Sequence, residues 1–115
     1  MAVVTQTATI PAGQSLSNSV NCNTSTPVRV RMPATWAGGN RSVITFQIST
    51  DDITFMDFFN PDGSEVAASV VPNTTVRVES QLGGKGGTYI KVRTGTREAP
   101  TVQPASISFV IISES

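Results

Sequence analysis

The chain has 115 residues, a mass of 12.1 kDa and a formal net charge of zero, with a sequence pI near 6.1. This length predicts a single domain over residues 1–115, large enough to bury one core without disulfides or metal. Because there is no excess of positive charge, we expect no nucleic-acid partner.

The chain contains no histidine and a single cysteine, Cys22. Histidine-based general bases, histidine-ligated zinc, Ser–His or Cys–His nucleophile pairs and an intramolecular disulfide are therefore excluded. We expect no enzyme activity, no cofactor and no metal ion. The N-terminus lacks the features of a signal peptide, and no apolar run reaches the roughly 18 residues of a membrane span, so we expect no membrane association.

Short alternating runs rich in Val, Ile and Thr lie between turns that contain Pro and Gly, a pattern typical of β-strands. In chain order, the sequence predicts eight or nine strands, near 3–10, 15–22, 28–32, 42–49, 53–59, 64–71, 75–80, 88–94 and 106–112. This spacing predicts an all-β, single-domain antiparallel β-sandwich that is jelly-roll-like, with a small barrel as the alternative. Residues 1–10 form either the first strand or an extended arm that adds a strand to a neighbour.

Acidic residues lie in the turns between predicted strands. Asp51 and Asp52 in STDDIT, and Asp62 in NPDG, are typical of turns, because aspartate side chains accept hydrogen bonds from nearby backbone amides. The alternative is a calcium site, which needs about six to eight oxygen ligands. The spacing of Asp51, Asp52 and Asp57 does not match an EF-hand, so the pattern favours turns.

Phe58 and Phe59 are adjacent and must point to opposite faces of a strand. The alternation places Met56 beside Phe58 on one face, and Ile53 and Phe55 beside Phe59 on the other. We expect Met56 and Phe58 to form an apolar patch on the outer face and to contact a partner. The sequence supports equally the alternative that the domain's own loops cover both faces.

Basic residues cluster in KVRTGTREAP, where Lys91, Arg93 and Arg97 flank a glycine. The simplest interpretation is a solvated hairpin, and the alternative is a site for phosphate or an acidic neighbour. Arginine bonds carboxylates through two nitrogens, so Arg93 and Arg97 are candidate partner contacts. Lys85 is another, because the glycine-rich LGGKGG predicts an exposed loop tip.

Two aromatic residues lie outside the phenylalanine-rich region. Trp36 follows a predicted strand, and we expect it to close one end of the sandwich. The alternative is that Trp36 and Tyr89 form a sugar-binding surface. Cys22 lies near a strand end, where a buried and unreactive thiol is expected.

Two longer stretches of the chain contain a distinctive series of motifs, MPATWAGGNRSVITFQISTDDITFMDFFNPDGSEV and YIKVRTGTREAPTVQ. These stretches resemble a family of small proteins from tailed-phage and prophage genomes. Its members usually show Met-Pro-Ala-x-Trp, a Leu-Thr-Phe-Gln-x-Ser-x-Asp-Gly-x-x-Phe hairpin, a Gly-Thr-Glu-like turn and a late Lys-Val-Arg-Ser-Gly-Thr…Pro-Val-x-Gln segment. The resemblance runs from Met32 to Gln103, about two-thirds of the chain. The matching positions are Met32, Pro33, Trp36, Thr45, Phe46, Gln47, Ser49, Asp51, Phe55, Gly63, Lys91, Val92, Arg93, Gly95, Thr96, Pro100 and Gln103.

The resemblance implies a bacteriophage virion structural protein that is made in the host bacterial cytoplasm and located in the phage head. By analogy with small jelly-roll cement proteins, it implies a capsid decoration protein that bridges capsid subunits. Its partners would be the major capsid protein or other virion proteins, and it would form a homo-oligomer, a dimer or trimer. The alternatives are a neck, tail or fibre component and a carbohydrate-binding adsorption module. The chain departs from the family at Asp52, where glycine is expected, and at AGGNRS, and both changes affect turn geometry.

Overall fold

The structure, a computed structural model, describes residues 3–22, 25–34, 42–78 and 88–114. These ranges form nine strands and no helix, and so contain no helix able to cross a membrane. The strands are β1 (Val3–Ile10), β2 (Val20–Cys22), β3 (Thr26–Arg31), β4 (Ser42–Ser49), β5 (Met56–Asp57), β6 (Ala67–Val70), β7 (Thr75–Arg77), β8 (Thr88–Thr94) and β9 (Ile107–Glu114).

The strands pair in a nested order that produces two antiparallel sheets. β1 pairs with β9, β2 with β8, β3 with β7, and β4 with both β5 and β6. The chain is thus one long hairpin rolled into a first sheet, β1-β9-β3-β7, and a second sheet, β2-β8-β4 with β5 and β6 along the far edge of β4. This is the strand order of a jelly roll, and the predicted β-sandwich is confirmed.

The core lies between the two sheets and consists of the inward-facing residues of both. Successive side chains of a strand point to opposite faces, so every second residue enters the core. Burying each large aliphatic or aromatic side chain contributes roughly 1.5–3 kcal/mol. The largest buried apolar side chains are Ile10, Val30, Met32, Val78 and Phe109 from or beside the first sheet, and Ile44, Phe46, Val70 and Val92 from the second.

Three of the predicted strands, 3–10, 42–49 and 88–94, have the predicted bounds. Val3–Ile10 pairs with β9 along its whole length, so this segment is the first strand of the domain and not an arm extended away from it. The predicted strand at 15–22 shrinks to three residues. The cause is Ser17, whose side-chain hydroxyl accepts the Val92 amide at 2.9 Å, where a regular strand would use its backbone.

The second sheet contains an eight-residue insertion, residues 59–66, between neighbouring positions along β4. The Phe58 amide donates to the Phe46 carbonyl at 3.1 Å, and the next residue of β4, Thr45, pairs with Ala67. Within this 59–66 loop, the Gly63 amide donates to the Asn60 carbonyl at 3.0 Å. The predicted NPDG turn is therefore confirmed, and the loop leaves the plane of the sheet.

A second segment, residues 95–101, folds back after β8. Gly95 bridges to Pro100, and the Thr101 amide donates to the Thr94 carbonyl at 2.7 Å. Gly95 has a φ of +84°, which favours glycine, and a Cβ at this position would lie 2.5 Å from the Ala99 carbonyl oxygen. The close backbone approach therefore needs glycine for two separate reasons.

This geometry predicts a difference between two glycine substitutions. Gly13 has a φ of +80°, but a Cβ there meets nothing within 4 Å. We expect Gly13→Ala to lower the free energy of unfolding by about 1–2 kcal/mol, the cost of left-handed backbone for alanine. Gly95→Ala should lower it clearly further, because backbone atoms must also shift. Urea unfolding measures both values, and equal losses would contradict the close approach of Gly95 to the backbone of Ala99.

Candidate functional site: the outer face of the second sheet

The outer face of the second sheet is polar but largely covered. The core-facing residues of β4 and β8 alternate with Thr45, Ser49 and Arg93, which point away from the core. Such positions are normally exposed, yet these three side chains are less than a tenth exposed. They are covered because the 59–66 loop, the 95–101 segment and the turn after β4 fold back toward this face.

Arg93 is the centre of this face. Its Nη2 atom pairs with Asp57 Oδ1, and its Nη1 atom pairs with Glu65 Oε2 at 2.9 Å. Asp57 belongs to β5, and Glu65 belongs to the 59–66 loop. The guanidinium therefore ties the loop to β5 and β8, and only 7% of the Arg93 surface is exposed.

Arg97 extends the network toward solvent. Its Nε lies 3.1 Å from Asp57 Oδ2, and its backbone amide donates to Glu65 Oε1 at 3.0 Å. Gln47 also donates to Asp57 Oδ1, at 3.2 Å. Two carboxylates thus face two guanidinium groups. The Arg97 side chain is 53% exposed, and so it is the charged member of the network that remains open to a partner.

The Asp57 carboxylate is held in its charged form. The hydrogen bond from Arg93 is the largest cause that lowers the pKa of Asp57, with smaller contributions from Gln47 and from the charges of Arg93 and Arg97. Partial burial opposes this effect by favouring the neutral acid. At neutral pH Asp57 is therefore an anion that faces the two guanidinium groups.

Aromatic and apolar side chains surround this ionic cluster. The Lys91 Nζ lies 4.4 Å from the centre of the Phe55 ring, and the Arg97 Cζ lies 5.8 Å from that of Phe59, both within the range of cation–π contacts. An open groove of about 420 Å³ lies between them. It is lined by Gln47, Phe55, Met56, Asp57, Phe59 and Arg97.

Two large apolar side chains that line this groove are exposed. Met56 is 68% exposed and Phe59 is 42% exposed. They border the groove together with Arg97, so they form a local concentration of apolar surface. We call Met56, Phe59 and Arg97 the contact patch.

The contact patch differs from the predicted one in its phenylalanine. Phe58 packs against the core cluster, and Phe59 is the exposed member of the pair. The predicted separation of Phe58 from Phe59 holds, but the assignment of the inner face was wrong, and Met56 borders the same groove as Phe59 instead of forming a patch with Phe58. Phe58 bonds to the backbone of buried Phe46 and shares its side of the sheet, which turns Phe59 outward.

The other predicted contact residues have different environments. Met56 and Arg97 are exposed, as a partner contact requires. Arg93 is buried in its own ion pairs, so the expectation of an exposed contact there was wrong. Tyr89 is partly buried on β8, and Trp36 and Lys85 lie outside the described residues.

The acidic turns have the structure expected of them. Asp51 Oδ1 accepts the amides of Ile53 and Thr54 at 2.9 and 3.0 Å and the hydroxyl of Ser49 at 2.8 Å. These bonds, led by the one from Thr54, lower the pKa of Asp51 to about 2.

Across the described ranges, no three acidic or cysteine side chains come together in a way that would hold a metal ion. Cys22 is buried, and burial raises the pKa of its thiol to about 11.

The two arginines predict different losses of stability. Arg93→Met leaves two carboxylates without their shared cation, and we expect it to lower the free energy of unfolding by about 3–5 kcal/mol. Arg97→Met removes an exposed partner of Asp57 and should cost less than about 1 kcal/mol. Chemical denaturation of both variants tests this, and a loss for Arg97→Met equal to that for Arg93→Met would contradict the central role of Arg93.

The Asp57 pKa predicts a dependence of stability on pH. Because its folded-state pKa lies below the unfolded value of about 3.9, its stabilisation is complete above that value and is lost as the pH falls through the folded-state pKa. We expect Asp57→Asn to be less stable than wild type at pH 7 and to lose stability less steeply below about pH 4. The control is Val66→Ala, which reduces packing in the core without removing a titratable group. It should keep the wild-type slope of stability against pH. An unchanged slope in Asp57→Asn would contradict the assignment.

Comparisons with protein-family models, with curated proteins and with solved structures find no match to this chain. The resemblance to phage proteins therefore stays a prediction from sequence motifs, and the geometry of the contact patch is an independent basis for a proposal about function.

Proposed function

We propose that this chain is a virion structural protein of a tailed phage, a capsid decoration or cement protein that binds neighbouring capsid subunits through its contact patch. The observation that carries the binding role is the patch itself, where Met56 and Phe59 are exposed beside Arg97. The assignment to a phage head rests on the sequence motifs shared with phage proteins.

The composition of the contact patch is that of a protein interface. Aromatic residues, methionine and arginine are enriched at interfaces, and the residues that dominate binding energy are often aromatic or arginine. Phe59 and Arg97 combine these properties in one unit, because the guanidinium lies over the ring. Such a pair offers an apolar surface and a cation to the same partner.

The patch also has a rigid support. Glu65 is bonded to Arg93 and to the backbone of Arg97, and the Asp62 side chain accepts the Ser64 amide at 2.9 Å. These bonds fix the 59–66 loop before a partner arrives. A surface that is already ordered loses less conformational entropy on binding, so more of the contact energy appears as affinity.

Arg97 indicates the charge of the partner surface. Its Nε is paired with Asp57, and within the described ranges neither of its Nη atoms has a hydrogen-bond acceptor. These nitrogens remain available to a carboxylate, which arginine binds with two parallel bonds. We therefore assign to the partner a surface with apolar side chains around an acidic residue.

The proposed mechanism is thermodynamic and involves no catalysis. A protein that binds only the assembled shell stabilises that shell, by an amount that grows with ligand concentration relative to the dissociation constant. Binding across neighbouring subunits would add contacts that exist only in the intact capsid. A homo-oligomer, a dimer or trimer, would increase the number of such contacts for each bound unit.

The test uses capsids that lack the protein, to which purified wild type or variants are added back. We expect wild type to bind and to raise the temperature at which shells rupture. Met56→Ser with Phe59→Ser should bind less and protect less, because the apolar part of the patch is lost. The matched control is Val102→Ser, which changes an apolar residue that is 55% exposed and lies outside the patch.

Two results would contradict the proposal. The first is that capsids with and without the protein rupture at the same temperature. The second is that the patch variant binds as well as Val102→Ser. The number of copies in the virion separates the head from other locations. Many copies spread over the shell fit a decoration protein, and a few copies at one vertex would move the assignment to the neck or tail.

A further inference from the structure

Among the described residues, the free edge of β1 lacks most of the usual protection of an edge strand. β1 lies at the end of the first sheet and has eight residues, VVTQTATI, with no charge, proline or glycine and an unbroken register to β9. Monomeric proteins protect such edges with charges, proline, bulges or short strands. The other outer strands described are short: β7 and β2 have three residues each, β5 has two and β6 has four.

The hydrogen bonds of Thr9 show which backbone groups face this edge. The Thr9 amide donates to the Asn18 side-chain oxygen at 2.7 Å, and the Asn18 amide donates to the Thr9 carbonyl at 3.2 Å. The backbone amide and carbonyl of Thr9 therefore point away from β9. In an antiparallel pair the direction alternates, so Val3, Thr5 and Thr7 also present their amides and carbonyls to the free edge.

Asn18 covers the edge at Thr9, and within the described part of the chain no other residue bonds to the edge-facing backbone of residues 3–7. On this stretch the outward-facing side chains are Val3, Thr5 and Thr7, all of them exposed and β-branched. Such residues favour an extended backbone and pack well against a neighbouring strand. The open stretch is therefore shaped to accept one more strand.

We propose that a second copy of this chain binds at this edge, with its β1 antiparallel to the first. The two-fold axis passes beside Thr5, so that Thr5 lies opposite Thr5 of the second copy, and Val3 lies opposite its Thr7. Each of these pairs exchanges two backbone hydrogen bonds. The first sheets of the two copies then join into one continuous sheet.

The side chains favour a second copy over a strand of different sequence. A two-fold interface places identical residues opposite each other at its centre, so the central residue must be compatible with itself. Threonine meets this condition, because its hydroxyl both donates and accepts, and no like charges face each other. The same side of the sheet already contains such a contact, between the Thr9 and Ser108 hydroxyls at 2.9 Å.

This interface specifies a surface for self-association and does not depend on the capsid role. The contact patch lies on the second sheet, and β1 belongs to the first. A dimer that failed to bind capsids would leave this inference intact, and a monomer that bound them would overturn it without affecting the capsid role.

Cysteine cross-linking tests the interface and its register. In Thr5→Cys the two new thiols lie on directly opposed residues, whose Cα atoms are about 5.5 Å apart, within the disulfide range of about 4.4–6.8 Å. In Thr7→Cys each new thiol lies opposite Val3 of the other copy. The new thiol of the other copy is about four residues further along the strand, roughly 13 Å away. Native Cys22 is buried in both variants.

We expect mild oxidation to convert Thr5→Cys into a covalent dimer and to leave Thr7→Cys uncross-linked, as seen by non-reducing electrophoresis. Cross-linking of Thr7→Cys to the same extent, or of neither variant, would overturn the proposal.

Solution mass is the second measurement. By sedimentation equilibrium, we expect wild type at twice the chain mass of 12.1 kDa and Thr5→Lys at the chain mass, because two lysines then face each other. Ser69→Lys adds the same charge at an exposed position of the second sheet and should stay dimeric. A monomeric or trimeric wild type, or a dimeric Thr5→Lys, would overturn the proposal. Thermal unfolding establishes that each variant is folded.

Discussion

The buried guanidinium of Arg93 determines the shape of the second sheet's outer face. A cation at a position that is 7% exposed is stable only with partners, and Asp57 and Glu65 provide them. Glu65 reaches Arg93 because eight extra residues between β5 and β6 fold out of the sheet and back. The loop is therefore held by the same ion pairs that make the buried charge tolerable. Phe59 and Arg97 stand at the rim of this arrangement, and their exposure is a consequence of it.

In the described ranges, several charged residues of this charge-poor protein are gathered at this face. Charged residues make up 14% of the chain, and four of them, Asp57, Glu65, Arg93 and Arg97, form one network. Their charges cancel, so the network itself has little long-range attraction for ions. Recognition at this face then depends on short-range contact, through apolar side chains and through the remaining nitrogens of Arg97. This is the type of surface expected for binding a fixed protein partner.

Much of the fold follows from local patterns, and the candidate site does not. Period-two alternation and turn chemistry are local, and they predicted β1, β4 and β8 and the turns at Asp51 and Asp62. Alternation also separated Phe58 from Phe59, but it has no information about which face is inward. That choice depends on the register between Phe58 and Phe46 and on the 59–66 loop. The burial of Arg93 depends on a carboxylate 28 residues away in the chain, a distance at which no spacing rule applies.

The positions of the two surfaces have a consequence for binding. The contact patch is on the second sheet, and the open edge of β1 is at the end of the first, so one copy can use both surfaces together. A dimer joined at β1 presents two contact patches as one unit. When one patch is bound, the other is held at a high effective concentration near the next site, provided that the spacing of sites on the partner fits the dimer. A modest patch of a few exposed side chains, too small for tight binding alone, then gives strong attachment to a regular lattice and weak attachment to a single free subunit.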